Sequence, residues 1–131
     1  LNAMDMHKIV KVGIISREGY RKRTIAIAEG EYTPRTDEPK IWFESLQSMS
    51  QVLGNENQKL LRVILEKKPR SLAELEQLTG RKKGNLSRTL KTLERYGVVA
   101  LDKDKNRLIP KVRATDFKVE FGLHCSTPLV G

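Results

Sequence analysis

The chain has 131 residues, enough for one compact domain with an appended element and too few for several. Its 25 Lys and Arg against 16 Asp and Glu leave a formal net charge of +9, so an anionic partner is expected before any motif is read. No stretch approaches a membrane-spanning helix and no apolar secretory segment is present; the lone cysteine, Cys125, excludes an internal disulfide and fits a reducing, cytoplasmic interior.

The opening Leu1-Asn2-Ala3-Met4 reads as a cloning remnant ahead of a start methionine and is set aside (residues 1–4). Residues 5–39 read as a strand-helix extension and linker. Lys8 to Ile15 (KIVKVGII) is a short, partly alternating apolar run, the pattern of a strand. Ser16 can cap a helix through RKRTIAIAE that Gly30 closes, with Tyr20, Thr24, Ile27 and Ala28 as its inner face. Arg17, Arg21 and Arg23 are then expected in solvent. Thr33 to Pro39 holds two prolines and few apolar residues, the composition of a linker.

An amphipathic helix is expected from Ile41 to Leu53, with Trp42, Leu46, Met49 and Leu53 on one face and Gly54 at its end. Trp42, Phe43, Leu46 and Met49 could line an effector pocket or a dimer interface; core packing is the more ordinary use of such a stripe. Asn55 and Gln58 make a box-like start for a helix through Lys67, with Leu61, Ile64 and Leu65 on its core side.

The segment from Ser71 to Gly97, SLAELEQLTGRKKGNLSRTLKTLERYG, carries the most information. Ser71 and Glu74 form a capping box, Pro69 blocks a continuous helix through this point, and Gly80 is placed to stop the first helix in a left-handed turn. Leu72, Leu75 and Leu78 fall near one face. In the second helix Leu86, Leu90 and Leu93 recur at i, i+4 and i+7 and define a buried stripe. The opposite side then carries Gly84, Ser87, Arg88, Lys91 and Arg95. Five cations (Arg81, Lys82, Lys83, Arg88 and Lys91) and no acid lie between Arg81 and Lys91. A basic, small-residue helix face propped on a short partner helix suits entry into a DNA groove. After Gly97, Val98 to Leu101 reads as a strand, Asp102 to Asn106 as a polar turn, and Arg107 to Arg113 as a returning strand that Pro110 confines to an edge or bulge. Phe117, Val119, Phe121 and Leu123 alternate with Lys118 and Glu120, so a further half-buried strand follows, with the N-terminal strand as its proposed neighbour.

The order of helix, helix-turn-helix, GVV strand, charged turn and second strand resembles a winged helix-turn-helix transcriptional regulator. The pattern SLAELEQLTG…NLSRTLKTLERYGVV is similar to the MarR-like and ArsR-like groups, and most similar to a set of prokaryotic predicted transcriptional regulators. The likeness covers roughly Asn55 to Val112. It implies an α+β, mainly helical fold: a winged helix-turn-helix domain over residues 40–123, with the strand-helix extension before it and a tail at 124–131. It also implies a recognition helix presenting Lys83, Asn85, Ser87, Arg88 and Lys91 to DNA. Two departures leave the start of that helix, and so its base-reading positions, open by a residue or two: Arg81-Lys82-Lys83-Gly84-Asn85 replaces the usual Ser or Thr cap, and Arg81 replaces an apolar residue after the turn glycine.

The expected DNA-contacting set is therefore Lys82, Lys83, Gly84, Asn85, Ser87, Arg88 and Lys91 on the helix, and Lys103, Lys105 and Arg107 on the wing. Arg88 can pair bidentately with guanine and Asn85 with adenine; the alternative for each is a phosphate contact or a helix cap. The wing cations either touch the DNA backbone or minor groove or keep an exposed turn soluble. No P-loop, GxSxG or HExxH is present, and no histidine stands beside a convincing nucleophile, so no catalysis and no cofactor are expected. His124-Cys125 and the distant His7 do not match zinc-ligand spacing, so no metal is expected. The resulting expectation is a sequence-specific regulator of double-stranded DNA, a cytoplasmic homodimer acting as a repressor. The alternative is an antitoxin that binds a toxin protein and represses its own operon. A third reading, RNA binding, is disfavoured by an aromatic content of 5%.

Overall fold

The computed structural model describes residues 7–123, so the opening four residues and the tail with His124 and Cys125 lie outside the described residues. KIVKVGII forms β1 (Ile9–Ile14), and Ser16 starts α1 (Arg17–Ala28) by accepting the Gly19 amide at 3.0 Å. The chain then returns to β2 (Ile41–Phe43), which lies parallel to β1 with Val12 opposite Ile41 and Ile14 opposite Phe43. On the other side of β1 runs β5 (Asp116–Glu120), also parallel, with Val10 opposite Phe117 and Val12 opposite Val119. The expected pairing of the last strand with the first is thus present, and β1 is central in the order β2-β1-β5.

A parallel sheet needs cover on both faces. One face turns Val12, Ile41 and Phe43 into the main core. On the other, Trp42 lies across Gly13: a Cβ there would stand 2.5 Å from the indole Cζ3 and 2.8 Å from Pro39 Cγ, so only glycine permits the approach.

Here α1 departs from expectation. Its buried residues are Gly19, Arg23 and Ala26, whereas Tyr20, Thr24 and Ala28 are exposed. Arg23, expected in solvent, is 8% exposed and donates through Nη2 to Glu38 Oε1 at 2.5 Å; Glu38 is 5% exposed. The guanidinium also lies 5.1 Å from the Trp42 ring centroid and 5.9 Å from that of Tyr32. The segment expected as a plain linker delivers the carboxylate that makes this burial tolerable.

The single helix expected from Ile41 to Leu53 is instead β2 followed by α2 (Leu46–Val52). Ser45 and Ser48 form a reciprocal capping box that starts α2 after the strand, and β-branched and aromatic residues fill the strand itself. Trp42, Leu46, Met49 and Leu53 therefore do not share a helix face. Next, α3 (Asn55–Lys67) takes Gly54 rather than Asn55 as its N-cap, with no side-chain capping bond. Asn57 and Gln58 reach back to the carbonyls of Val52 and Leu53 at 2.9 and 2.7 Å, fastening α3 to the end of α2. Leu60, Leu61 and Ile64 form its buried side, with Leu65 only half-buried.

The remaining elements are α4 (Leu72–Thr79), α5 (Lys83–Arg95), β3 (Val99–Asp104) and β4 (Arg107–Val112), the last two an antiparallel ribbon with Leu101 opposite Pro110. Val12, Ile41, Phe43, Leu60, Leu75, Leu90 and Val99 belong to one buried cluster, so sheet and helices share a core. Phe43 stacks on Tyr96 with ring centroids 4.5 Å apart, joining β2 to the end of α5. The fold of the described residues is α+β, with five helices and two small sheets. No helix of the described residues is long and apolar enough to cross a membrane.

Candidate nucleic-acid interface

Ser71 caps α4 by accepting the Glu74 amide at 3.0 Å, but among the described residues the Glu74 carboxylate makes no return bond, so the expected box is half-formed. Leu72 and Leu75 are buried, whereas Leu78 is exposed. Three residues are 300° of helix, so a second step of three carries Leu78 round the helix and out of the face. Gly80 ends α4 at φ +75°, with its amide donating to Glu76 at 2.8 Å. Thr79 spans the turn: its hydroxyl donates to the Leu75 carbonyl and accepts the Arg81 amide.

This turn sets α5 across the core, and the leucine stripe does the anchoring. Leu86, Leu90 and Leu93 are fully buried. Gly84, Arg88, Lys91 and Arg95 are exposed on the far side, with Ser87 half-buried between. Gly97, at φ +87°, turns the chain into the ribbon. Among the described residues, none of Lys82, Lys83, Arg88, Lys91 and Arg95 is in an ion pair.

The helix start is now placed. Lys82 is the N-cap, with extended backbone (φ −70°, ψ 147°) and no side-chain capping bond, so Lys83, Gly84 and Asn85 form the first turn. Their amides point out of the positive end of the helix without a side-chain acceptor. Arg81, expected only as a cation in place of an apolar residue, has a definite role. Its Nε donates to Asn85 Oδ1 at 2.9 Å and its Nη2 to Thr89 Oγ1 at 3.2 Å, while Nη1 is buried without a hydrogen-bond partner among the described residues. Asn85 and Thr89 stand one turn apart on α5, but Arg81 lies ahead of its N-cap, so no helical spacing in the sequence announces this contact.

The ribbon turns through Lys105 and Asn106, with Lys105 at φ +58° and Asp104 opposite Arg107. Lys103, Lys105 and Arg107 are exposed and in no ion pair among the described residues, and Asp102 is drawn to Lys111 at 3.5 Å. Of the stripe whose more ordinary use is core packing, Phe43 is buried in the core with Met49 packed against it, while Trp42 and Phe43 also border a cleft of about 330 Å³ with Tyr20, Lys40, Arg95 and Tyr96.

The chain belongs to the HVO_A0114 family: the family's model matches residues 52–119, just over half of the chain, running from the end of α2 through α3, α4, α5 and the ribbon into β5. No curated protein and no solved structure matches the chain.

Proposed function

We propose that α3, α4, α5 and the β3–β4 ribbon act as a winged helix-turn-helix, in the manner of MarR-like and ArsR-like regulators, and that the protein is a cytoplasmic, dimeric repressor binding double-stranded DNA by sequence. The observation that carries the reading is the division of α5. A fully buried leucine stripe fixes one side, and cations that make no ion pair among the described residues, with no acid between Arg81 and Lys91, occupy the other. In this reading Lys82, Lys83 and Lys91 neutralise phosphates and release counterions. The unsatisfied amides at the start of α5 add a phosphate contact that needs no side chain. Gly84 lets the backbone approach closely, since a Cβ there would meet nothing of the protein. Arg88 reads a base edge beside Ser87. Asn85 offers mainly its amide donors, because Arg81 already engages its carbonyl oxygen. Lys103, Lys105 and Arg107 on the wing then hold the flanking backbone.

Fluorescence anisotropy on DNA from the protein's own upstream region, against a scrambled duplex of equal length, tests the reading. The expected result is preference for the native fragment, with Arg88→Ala costing about 1–3 kcal/mol of discrimination. Equal, weak binding to both duplexes, unaltered by Arg88→Ala, would reduce the interaction to charge attraction.

A further inference from the structure

One border of the three-stranded sheet is β5. Its inner side pairs with β1, and among the described residues no strand pairs with its outer side. Such an edge exposes a row of backbone donors and acceptors that another strand can use. This edge is also apolar: Val119 is 45% and Phe121 55% exposed. The opposite border, β2, has three residues directly after Pro39-Lys40, too short to template a partner.

We propose that β5 is the docking edge for a second copy of this chain, joined antiparallel about a two-fold axis through Val119 into one continuous sheet. The charges select both occupant and register. Centred on Lys118, self-pairing sets Asp116 against Glu120 and Lys118 against itself, repulsive at every charged position. Centred on Phe117, it runs the partner strand into Ala114 and Thr115, where Ala114 is buried and Thr115 is bonded back to Lys8. A one-residue slip sets the charged row against the apolar row. Centred on Val119, Lys118 meets Glu120 of the second copy at both ends of the pairing, and Phe117 meets Phe121. An identical edge thereby complements itself, as an isologous interface requires.

Two observations within the protomer agree. Lys118 stands opposite Lys11 in the β1–β5 register, and Glu120 is 3.8 Å from Lys11 rather than committed to Lys118. Lys118 itself has no ion pair among the described residues, so the second copy's carboxylate fills a real deficit. On the other face, Phe117 borders a cleft of about 240 Å³ with Leu53, Leu61, Leu65 and Val112. Phe121 of the second copy would stand at its mouth and bury the apolar ring that one chain alone leaves in water.

The proposal deepens the dimeric part of the reading above. It is tested without DNA, so its failure and the failure of DNA recognition are separable. Sedimentation velocity of the full chain over a micromolar concentration series should show a dimer. Lys118→Glu and Glu120→Lys each turn two attractive cross-strand pairs repulsive and should each weaken dimerisation at least about tenfold. Lys118→Glu cannot act by unfolding the protomer, because it sets an acid opposite Lys11. Mixing the two variants should restore association as a heterodimer. The Lys118→Glu chain then has acids at both positions of the pairing and the Glu120→Lys chain has lysines at both, so every acid faces a lysine. A wild type that stays monomeric, single variants that dimerise like wild type, or a mixture that stays monomeric would each overturn the proposal.

Discussion

Lys82→Ser should separate stability from function, because the two respond with opposite sign at this position. Lys82 holds the N-cap of α5 with the extended backbone that a capping residue needs, yet its side chain makes no capping bond. A serine hydroxyl there can accept the amide of Gly84 or Asn85, worth about 1 kcal/mol. Removing an ammonium from the positive end of the helix relieves a further ~0.3 kcal/mol, the low end of the range because Lys82 is exposed and screened. The variant should therefore be more stable by somewhat over ~1 kcal/mol, raising the melting temperature by about 4 °C. The same change removes one phosphate contact, so the slope of log affinity against log salt should fall by about 0.9. Thermal unfolding and anisotropy over a salt series measure the two quantities on one preparation. A destabilised variant would refute the capping argument. An unaltered salt slope would place Lys82 away from the DNA backbone.

Three further expectations follow from the packing and the charge pairs. Gly13→Ala sets a methyl against the indole of Trp42, the chain's single tryptophan, and should cost about 1–3 kcal/mol with a red-shifted emission; unchanged fluorescence would mean the indole does not lie on β1. Glu38→Ala strands the buried Arg23 charge and should cost about 3–5 kcal/mol in urea unfolding, while Arg23→Met with Glu38→Leu recovers most of it; a loss well under ~1 kcal/mol from the single change would show the pair to be solvated. Hydrogen bonds from Thr115 and from His7 hold the Asp116 carboxyl below its ordinary value of 3.8. A lowered value means the stabilisation is present above the ordinary value and lost as pH falls through the lowered one. Wild type should therefore show, and Asp116→Asn should lack, that part of the acid-side fall in stability; identical acid limbs would contradict it.

Much of the helical part of this molecule was legible because its signals are local. Ser71, Gly80 and Gly97 act within a few residues of themselves, and the stripe of Leu86, Leu90 and Leu93 needs only the helical repeat to be read. The cation row on α5 was legible for the same reason. What misled was periodicity without partners. Trp42, Leu46, Met49 and Leu53 have helical spacing, but Trp42 belongs to a strand whose parallel partner β1 lies far back in the chain. Tyr20 and Thr24 have the spacing of an inner face, whereas the face turned inward carries Arg23, neutralised by a glutamate 15 residues away.

The residues of this chain determined by themselves the α+β class, the leucine-anchored basic helix and the stops around it, since each depends on backbone preference and the pattern of neighbours within a turn or two. The tertiary structure alone decided which strand would be central, that Arg23 and Glu38 would be buried together, that Arg81 would lie along α5, and that β5 would be left as an apolar edge. Those outcomes depend on groups distant in sequence meeting across a desolvated interior, where a charge is tolerable only beside its partner and a strand is complete only beside another.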